Sequence, residues 1–136
     1  MNTWSWNKSF GNYFLESDLL KENGFQHGFF SIKSLSSQPE LLSKSLGEGL
    51  LVLQCKQIHS SNVVNIKGKV HYTYLEADGL CATQRNQSLW VYTADCIPLL
   101  IADRKKGYVA SVHVGWRGIA KGIINNAINR LKENGS

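Results

Sequence analysis

Short apolar runs separated by turn residues make up the middle of the chain. Three runs rich in β-branched and aromatic residues predict strands over 50–55, 62–66 and 88–93. Two further runs, 97–103 and 108–114, are separated by the basic turn Arg-Lys-Lys-Gly. A turn of this composition between two apolar runs predicts a β-hairpin.

The hydrophobic period changes after Gly118. Apolar residues then recur at steps of three and four, which is the stripe of an amphipathic helix and predicts a helix over 119–133 that packs one face on the sheet. The residues of this stripe are Ile119, Ile123, Ile124, Ala127, Ile128 and Leu131. Earlier in the chain, a β-rich opening leads into a short helical pattern over 40–46 that ends at Gly47, where helix C-termini favour glycine.

The length and composition predict one globular domain over residues 1–136. The chain has 136 residues, of which 43% are hydrophobic and 18% charged, so it can bury a core and is too apolar for a disordered chain. The net charge of +5 comes from lysines and arginines spread along the chain. Since nucleic-acid binding requires clustered charge, we expect no nucleic-acid partner.

The sequence also favours a cytoplasmic location with reduced thiols. No apolar segment approaches the roughly 20 residues that cross a bilayer, and the first ten residues lack the pattern of a signal peptide. The three cysteines, Cys55, Cys81 and Cys96, form no paired spacing, which argues against a disulfide framework. We therefore expect no membrane partner, and the sequence leaves the oligomeric state open.

Three residues at predicted strand ends carry the candidate chemistry. His59, Cys96 and His113 supply two imidazoles and one thiolate, a set that can hold zinc and leave a fourth position open. Alternatively, Cys96 is a nucleophile and His113 its base. In a third interpretation all three are ordinary packing residues, because their spacing matches no local zinc motif.

Copper fits the same residues less well. A mononuclear copper site usually adds a weak axial methionine to two histidines and a cysteine, and Met1 is the only methionine here. A multicopper oxidase needs many more histidines than the four in this chain.

Further residues are candidates for binding a substrate. Gly115 and Arg117 lie at a predicted strand-to-helix turn, where backbone amides and a guanidinium can face an anion, although arginine in solvent is the simpler reading. Asp78 can orient a ligand histidine, bind a substrate hydroxyl, or serve only as a turn residue. His27, beside a glycine, and His71 are weaker candidates.

Four segments together resemble a known family. Residues 56–63 (KQIHSSNV), 76–83 (EADGLCAT), 93–103 (TADCIPLLIAD) and 112–118 (VHVGWRG) follow the order of motifs in the multicopper polyphenol oxidase, laccase-like family, also called the YfiH or purine nucleoside phosphorylase family. The resemblance implies a mixed-sheet α/β sandwich, similar to the catalytic domain of cytotoxic necrotizing factors, which use a Cys–His pair.

The same resemblance implies a site and an activity. His59, Cys96 and His113 would be zinc ligands, with Cys96 and His113 also catalytic. The substrates would be phosphate and a purine nucleoside: adenosine, inosine, guanosine or methylthioadenosine, with adenosine deamination at the same site. A Cys–His hydrolase or amidase that edits a peptidoglycan precursor is the alternative.

The sequence departs from the family pattern in two ways. Residues 31–38 (SIKSLSSQ) replace a segment that carries an arginine in the family, and Lys33 is only a partial substitute. Family members are also longer, so the resemblance implies a partial domain that is truncated at its C-terminus and leaves the sandwich incomplete. A non-catalytic remnant is therefore a further alternative.

Overall fold

A computed structural model describes residues 3–68 and 74–136, so the candidate His71 lies outside the described residues. The chain divides into two compact units, residues 1–52 and 53–136. All three candidate metal ligands belong to the second unit. A single domain over 1–136 stays a prediction.

The first unit is built around an antiparallel sheet of three strands. Its strands are β1 (Trp4–Ser9), β2 (Asn12–Ser17) and β3 (Phe29–Phe30), and its helices are α1 (Asp18–Glu22) and α2 (Pro39–Leu42). Buried Phe14 stacks on Phe30 with ring centroids 5.0 Å apart. The helical pattern predicted over 40–46 is confirmed as α2 and a following 3₁₀ turn, Ser43–Ser45.

The second unit contains the mixed sheet that the sequence predicts. Its elements, beginning with a strand that crosses the division between the units, are β4 (Leu51–Leu53), β5 (Val63–Asn65), β6 (Gly79–Ala82), β7 (Gln87–Leu89), β8 (Ile97–Ala102), β9 (Val109–Val114), α3 (Trp116–Ala120) and α4 (Ile123–Glu133). The order is β5-β6-β9-β8, in which β5 and β6 are parallel and the other neighbours antiparallel. The pattern of apolar runs did not reveal β6, because its four buried residues show no alternation.

The predicted hairpin is confirmed. Strands β8 and β9 pair antiparallel from Ile97 opposite Val114 to Ala102 opposite Val109. At the turn, Asp103 Oδ1 accepts hydrogen bonds from the backbone N–H groups of Lys105 at 2.7 Å and Lys106 at 3.2 Å. This pairing places the end of β9 beside the start of β8, and both ends carry candidate ligands.

The single helix predicted over 119–133 is wrong in its start and its continuity. Two helices, α3 and α4, are separated by Gly122, whose φ of +80° is a left-handed conformation that interrupts a helix. Ile119, expected on the packing face, is 51% exposed, whereas Ile123 is fully buried. None of the helices in the described part of the chain is long and apolar enough to cross a membrane.

The strand predicted over 88–93 is shorter than expected. Strand β7 ends at Leu89, and the backbone N–H of Trp90 still donates to Leu53 O at 2.9 Å. The backbone N–H and C=O of Tyr92 are hydrogen-bonded to the side chain of Gln57. Strand β7, which pairs with β4 in a separate two-stranded sheet, therefore ends well before Cys96.

Candidate metal centre

Three side chains from separate segments meet at one end of the mixed sheet. His59 lies in the loop after β4, Cys96 immediately precedes β8, and His113 lies on β9. One nitrogen of each histidine and the Cys96 Sγ lie within 4.8 Å of one another. His113 is buried, Cys96 half-buried and His59 exposed, so the cluster opens to solvent on the side of His59.

Asp78 organises this cluster through hydrogen bonds to His59 and His113. Its side chain is fully buried just before β6 and accepts hydrogen bonds from two ligand-bearing segments. The Oδ1 atom accepts from His59 N–H at 3.0 Å and lies 2.8 Å from His113 Nδ1. The Oδ2 atom accepts from Ile58 N–H at 3.3 Å and from the N–H and hydroxyl of Ser60, both at 2.7 Å.

These hydrogen bonds keep Asp78 ionised. Burial by itself raises the pKa of a carboxyl group, but the donors on His113, Ser60 and Ile58 outweigh it and hold the pKa of Asp78 below its usual value. An ionised carboxylate only accepts hydrogen bonds, so the proton of the neutral His113 ring lies on Nδ1. The Nε2 lone pair is then available to a metal ion, as in sites where a carboxylate orients a ligand histidine.

The backbone of His59 has an unusual conformation. Its φ is +58°, in the left-handed region that residues other than glycine rarely adopt. Three successive N–H groups, from Ile58 to Ser60, point at the Asp78 carboxylate and stabilise this turn. The same acid therefore fixes the position of one ligand and the ring orientation of another.

Gly115 gives the cluster its close packing. This buried residue follows β9, and a Cβ added to it would lie 3.1 Å from Cys96 Sγ and 3.4 Å from His59 Cδ2. Because contacts of 3.1 Å are tighter than ordinary packing, even alanine would displace the thiol. Glycine therefore allows the close approach of two ligands at this position.

The other two cysteines, Cys55 and Cys81, have thiols with raised pKa values. Burial raises the pKa of Cys55 to about 11, with a smaller contribution from the negative charge of Asp78. Burial likewise raises the pKa of Cys81 to about 12. Both thiols point at backbone carbonyls, Cys55 Sγ at Ala77 O and Cys81 Sγ at Ala127 O.

The predicted substrate residues occupy different surroundings. Arg117 is exposed on α3, and its guanidinium carbon lies 4.5 Å from the ring centre of Trp116, which is 70% exposed. His27 is buried in the first unit, where its Nε2 accepts from Ser17 N–H at 2.8 Å and its Nδ1 lies 2.9 Å from Phe25 O. A role for either residue in substrate binding stays a prediction.

The donor set fits a metal ion. Two imidazole nitrogens and one thiolate are ligands of borderline-soft transition metals, and three protein ligands leave one coordination position open. The chain is therefore an α/β protein with a candidate catalytic metal centre at one end of its mixed sheet.

The chain belongs to the multi-copper polyphenol oxidoreductase laccase family, whose sequence pattern matches residues 34–136. The resemblance noted from the motifs is thereby confirmed.

Relatives of this chain are named for an activity other than that of a laccase. Proteins called purine nucleoside phosphorylase from Synechocystis and from Rickettsia prowazekii are each 30% identical to this chain, over 98% and 86% of its length. These alignments cover 52% and 46% of the two proteins. The chain thus spans about half the length of the curated relatives it matches.

Solved structures share the fold. A Neisseria meningitidis protein of the DUF152 family matches with a TM-score of 0.63 and 28% identity, over 97% of this chain and 57% of that one. The Bacillus licheniformis protein YfiH matches with a TM-score of 0.68 over 96% of this chain and 60% of its own, and at 19% identity it supports the fold alone.

Proposed function

We propose that this chain carries the metal centre of a zinc-dependent purine nucleoside phosphorylase that also deaminates adenosine. The observation that carries the proposal is the convergence of His59, Cys96 and His113 within 4.8 Å, with His113 oriented by Asp78. The names of the Synechocystis and Rickettsia prowazekii relatives support the substrate class. Adenosine, inosine, guanosine and methylthioadenosine are the nucleosides we propose.

Zinc suits the donor set better than copper. Catalytic zinc sites use three protein ligands from histidine, cysteine and carboxylate and leave one position open. A mononuclear copper centre usually adds a methionine, and the sole methionine, Met1, lies outside the described residues. When bound, zinc supplies Lewis acidity toward water or a substrate oxygen.

The residues of the chain have defined tasks in this proposal. In phosphorolysis the C–N glycosidic bond breaks, a phosphate oxygen forms the new C–O bond to the ribose, and the purine leaves with a proton on its nitrogen. The exposed guanidinium of Arg117 can hold two phosphate oxygens at once. Gly115 lies two residues before Arg117 and against Cys96 and His59, which supports a phosphate site at Arg117 near the metal centre.

Deamination uses the same metal centre. Water adds to the purine carbon that bears the amino group, and ammonia leaves. The buried Asp78 accepts a hydrogen bond from His113 Nδ1, which leaves the Nε2 lone pair of the neutral ring available to the metal. Neither task requires Asp78 to touch the substrate.

The test compares the wild-type chain with a His59→Asn variant. Asparagine removes the imidazole but tolerates the left-handed backbone at this position better than alanine does. With inosine and phosphate, the zinc-loaded wild type should release hypoxanthine and ribose 1-phosphate, and the variant should lose at least about 100-fold in kcat/KM. An exposed substitution away from the site, Gln84→Ala, is the control and should leave the rate unchanged. A zinc-loaded wild type without phosphorolysis contradicts the proposal.

One observation favours a second candidate, a Cys–His hydrolase or amidase such as a peptidoglycan-precursor editing factor. Cys96, His113 and Asp78 form the order of nucleophile, base and orienting acid, with His113 Nδ1 2.8 Å from Asp78 Oδ1. In that mechanism His59 is dispensable. A His59→Asn variant that hydrolyses an amide substrate at the wild-type rate would establish this candidate and exclude the first.

A further inference from the structure

One side chain links the two loops that carry His59 and Cys96. The carboxamide of Gln57 makes two hydrogen bonds to the backbone of Tyr92, which lies 35 residues further along the chain. Its Nε2 donates to Tyr92 O at 2.8 Å, and its Oε1 accepts from Tyr92 N–H at 2.7 Å. Both backbone groups of one residue are therefore paired with a single side chain, as they would be with a neighbouring strand.

The position of this link relates it to the metal ligands. Gln57 precedes His59 by two residues, and Tyr92 precedes Cys96 by four. Strand β7 ends at Leu89, and Tyr92 lies in the segment that leads from this strand to Cys96. The Gln57 carboxamide holds the backbone of this segment.

The other supports of the two loops lie on different elements. On one side, Lys56 exchanges backbone hydrogen bonds with Leu75 and Ala77, and the carboxylate of Asp78 holds the turn around His59. On the other side, Cys96 is followed at once by Ile97, which pairs with Val114 in β9. These contacts fix each ligand relative to the sheet, whereas the Gln57 carboxamide connects the two ligand loops directly.

We propose that Gln57 is a positioning residue of the metal centre, which sets the separation between His59 and Cys96 through its paired hydrogen bonds to Tyr92. The proposal rests on the proposed metal-binding role of the site and deepens it. Partners that hold ligands in place without touching the metal typically change metal affinity by about 10- to 100-fold when they are removed. Gln57 differs from these partners in that it holds a loop that carries a ligand, not the ligand side chain itself.

The variants are chosen to change the two hydrogen bonds between Gln57 and Tyr92. A Gln57→Leu substitution keeps the approximate length of the side chain and removes both hydrogen bonds. A Gln57→Glu substitution keeps an acceptor for Tyr92 N–H but places a carboxylate oxygen against Tyr92 O, where the amide donated. The control is Lys56→Gln, which removes the exposed ion pair of Lys56 with Glu76 at 2.8 Å and leaves the Tyr92 contact intact.

The experiment measures zinc affinity of the full chain by competition with a chromophoric chelator. We expect Gln57→Leu and Gln57→Glu to bind zinc about tenfold more weakly or worse, with Lys56→Gln within about twofold of wild type. Cobalt substitution gives a second measurement, since a thiolate ligand produces a charge-transfer band. That band should weaken in both Gln57 variants and stay unchanged in the control, an effect that a general loss of stability would not cause in folded protein.

Each outcome decides the proposal. Wild-type zinc affinity and an unchanged cobalt band in either Gln57 variant would overturn it; if Gln57→Leu does not fold, Gln57→Glu is sufficient. If wild type binds no metal, the proposed zinc enzyme is refuted, and the positioning role is judged on metal-free protein. Iodoacetamide should then modify Cys96 about threefold faster in Gln57→Leu than in wild type, because the loop is released. Equal rates would overturn the role of Gln57 as well.

Discussion

Replacing Asp78 with asparagine removes a negative charge from the centre of the site while leaving the side chain the same shape. Five donors converge on this carboxylate, three from backbone N–H groups, one from the Ser60 hydroxyl and one from His113. An amide offers one oxygen in place of two. The amide nitrogen must therefore face donors at one of the two former oxygen positions.

The least costly placement puts the amide nitrogen at the Oδ1 position. The Ser60 and Ile58 donors then keep an acceptor, and only His59 N–H is left without one. His113 must move its proton from Nδ1 to Nε2 to accept from the amide, which blocks the nitrogen that faces the metal. Hydrogen bonds to a charged group contribute about 1.5–3 kcal/mol and an orphaned buried donor costs about 1–3 kcal/mol, so we expect a loss of about 3–5 kcal/mol in the free energy of unfolding.

Urea unfolding of the metal-free chain and a zinc competition titration measure the two effects separately. We expect the stability loss given above and a decrease of about 10- to 100-fold in zinc affinity. The matched control is Asp103→Asn, a half-buried position before the hairpin turn where an amide oxygen can still accept from Lys105 N–H and the amide nitrogen can donate to the Ser136 hydroxyl. If Asp78→Asn binds zinc as tightly as wild type, with unfolding changed by less than about 0.5 kcal/mol, Asp78 does not organise the site.

Three further predictions follow from the contacts at the site. Gly115→Ala should weaken zinc binding by about tenfold, because its methyl group meets Cys96 Sγ at 3.1 Å, and a competition titration checks it. Iodoacetamide at pH 8 should modify Cys96 first and should not modify Cys55 and Cys81 until the chain unfolds, as measured by peptide mass mapping. The reason is that burial raises the pKa of Cys55 to about 11 and that of Cys81 to about 12. Arg117→Ala should raise the KM for phosphate about tenfold or more with a smaller effect on the KM for inosine, measured by initial rates.

Controls separate these effects from general damage. Gly47→Ala, where an added Cβ would make ordinary contacts at 3.6 Å, should leave zinc binding unchanged. Arg104→Ala removes an exposed arginine from the hairpin turn and should not change the KM for phosphate. Equal effects of Gly115→Ala and Gly47→Ala on zinc affinity would contradict the first prediction. The second would be contradicted if iodoacetamide modified Cys81 as fast as Cys96. The third would be contradicted if Arg104→Ala raised the KM for phosphate more than Arg117→Ala did.

The thiol pKa values also predict a pH dependence of stability. A thiol whose pKa in the folded chain is raised stabilises the fold below its unfolded pKa, and this contribution is lost as the pH rises through the folded value. For Cys81 the window runs from about 9 to about 12, so the free energy of unfolding should fall across this range. Replacing Cys81 with alanine should flatten the dependence, as measured by urea unfolding at several pH values, and an equally steep fall in the variant would refute the cause.

Local sequence patterns predicted some of the regular elements correctly and missed others. The hairpin of β8 and β9 was predicted because its two apolar runs are long and its turn is composed of polar residues and a glycine. The stripe after Gly118 predicted a helix, but the left-handed break at Gly122 was missed, because an isolated glycine within a periodic pattern is often tolerated. The buried strand β6 was missed because it is short and wholly apolar.

The site itself depends on contacts that no local pattern encodes. His59, Cys96 and His113 could be proposed from their positions at strand ends and from the family motifs. The five hydrogen bonds to Asp78 and the link from Gln57 to Tyr92 join segments far apart in sequence. These groups come together only in the folded chain.

X-ray absorption spectroscopy at the zinc edge of the zinc-loaded chain shows directly which side chains bind the metal. We expect one sulfur neighbour at about 2.3 Å and two imidazole nitrogens at about 2.0–2.1 Å, with the remaining position filled by a light atom. In His59→Asn, one imidazole contribution should disappear while the sulfur remains. A spectrum without sulfur, or one identical in wild type and His59→Asn, would contradict a metal centre formed by His59, Cys96 and His113.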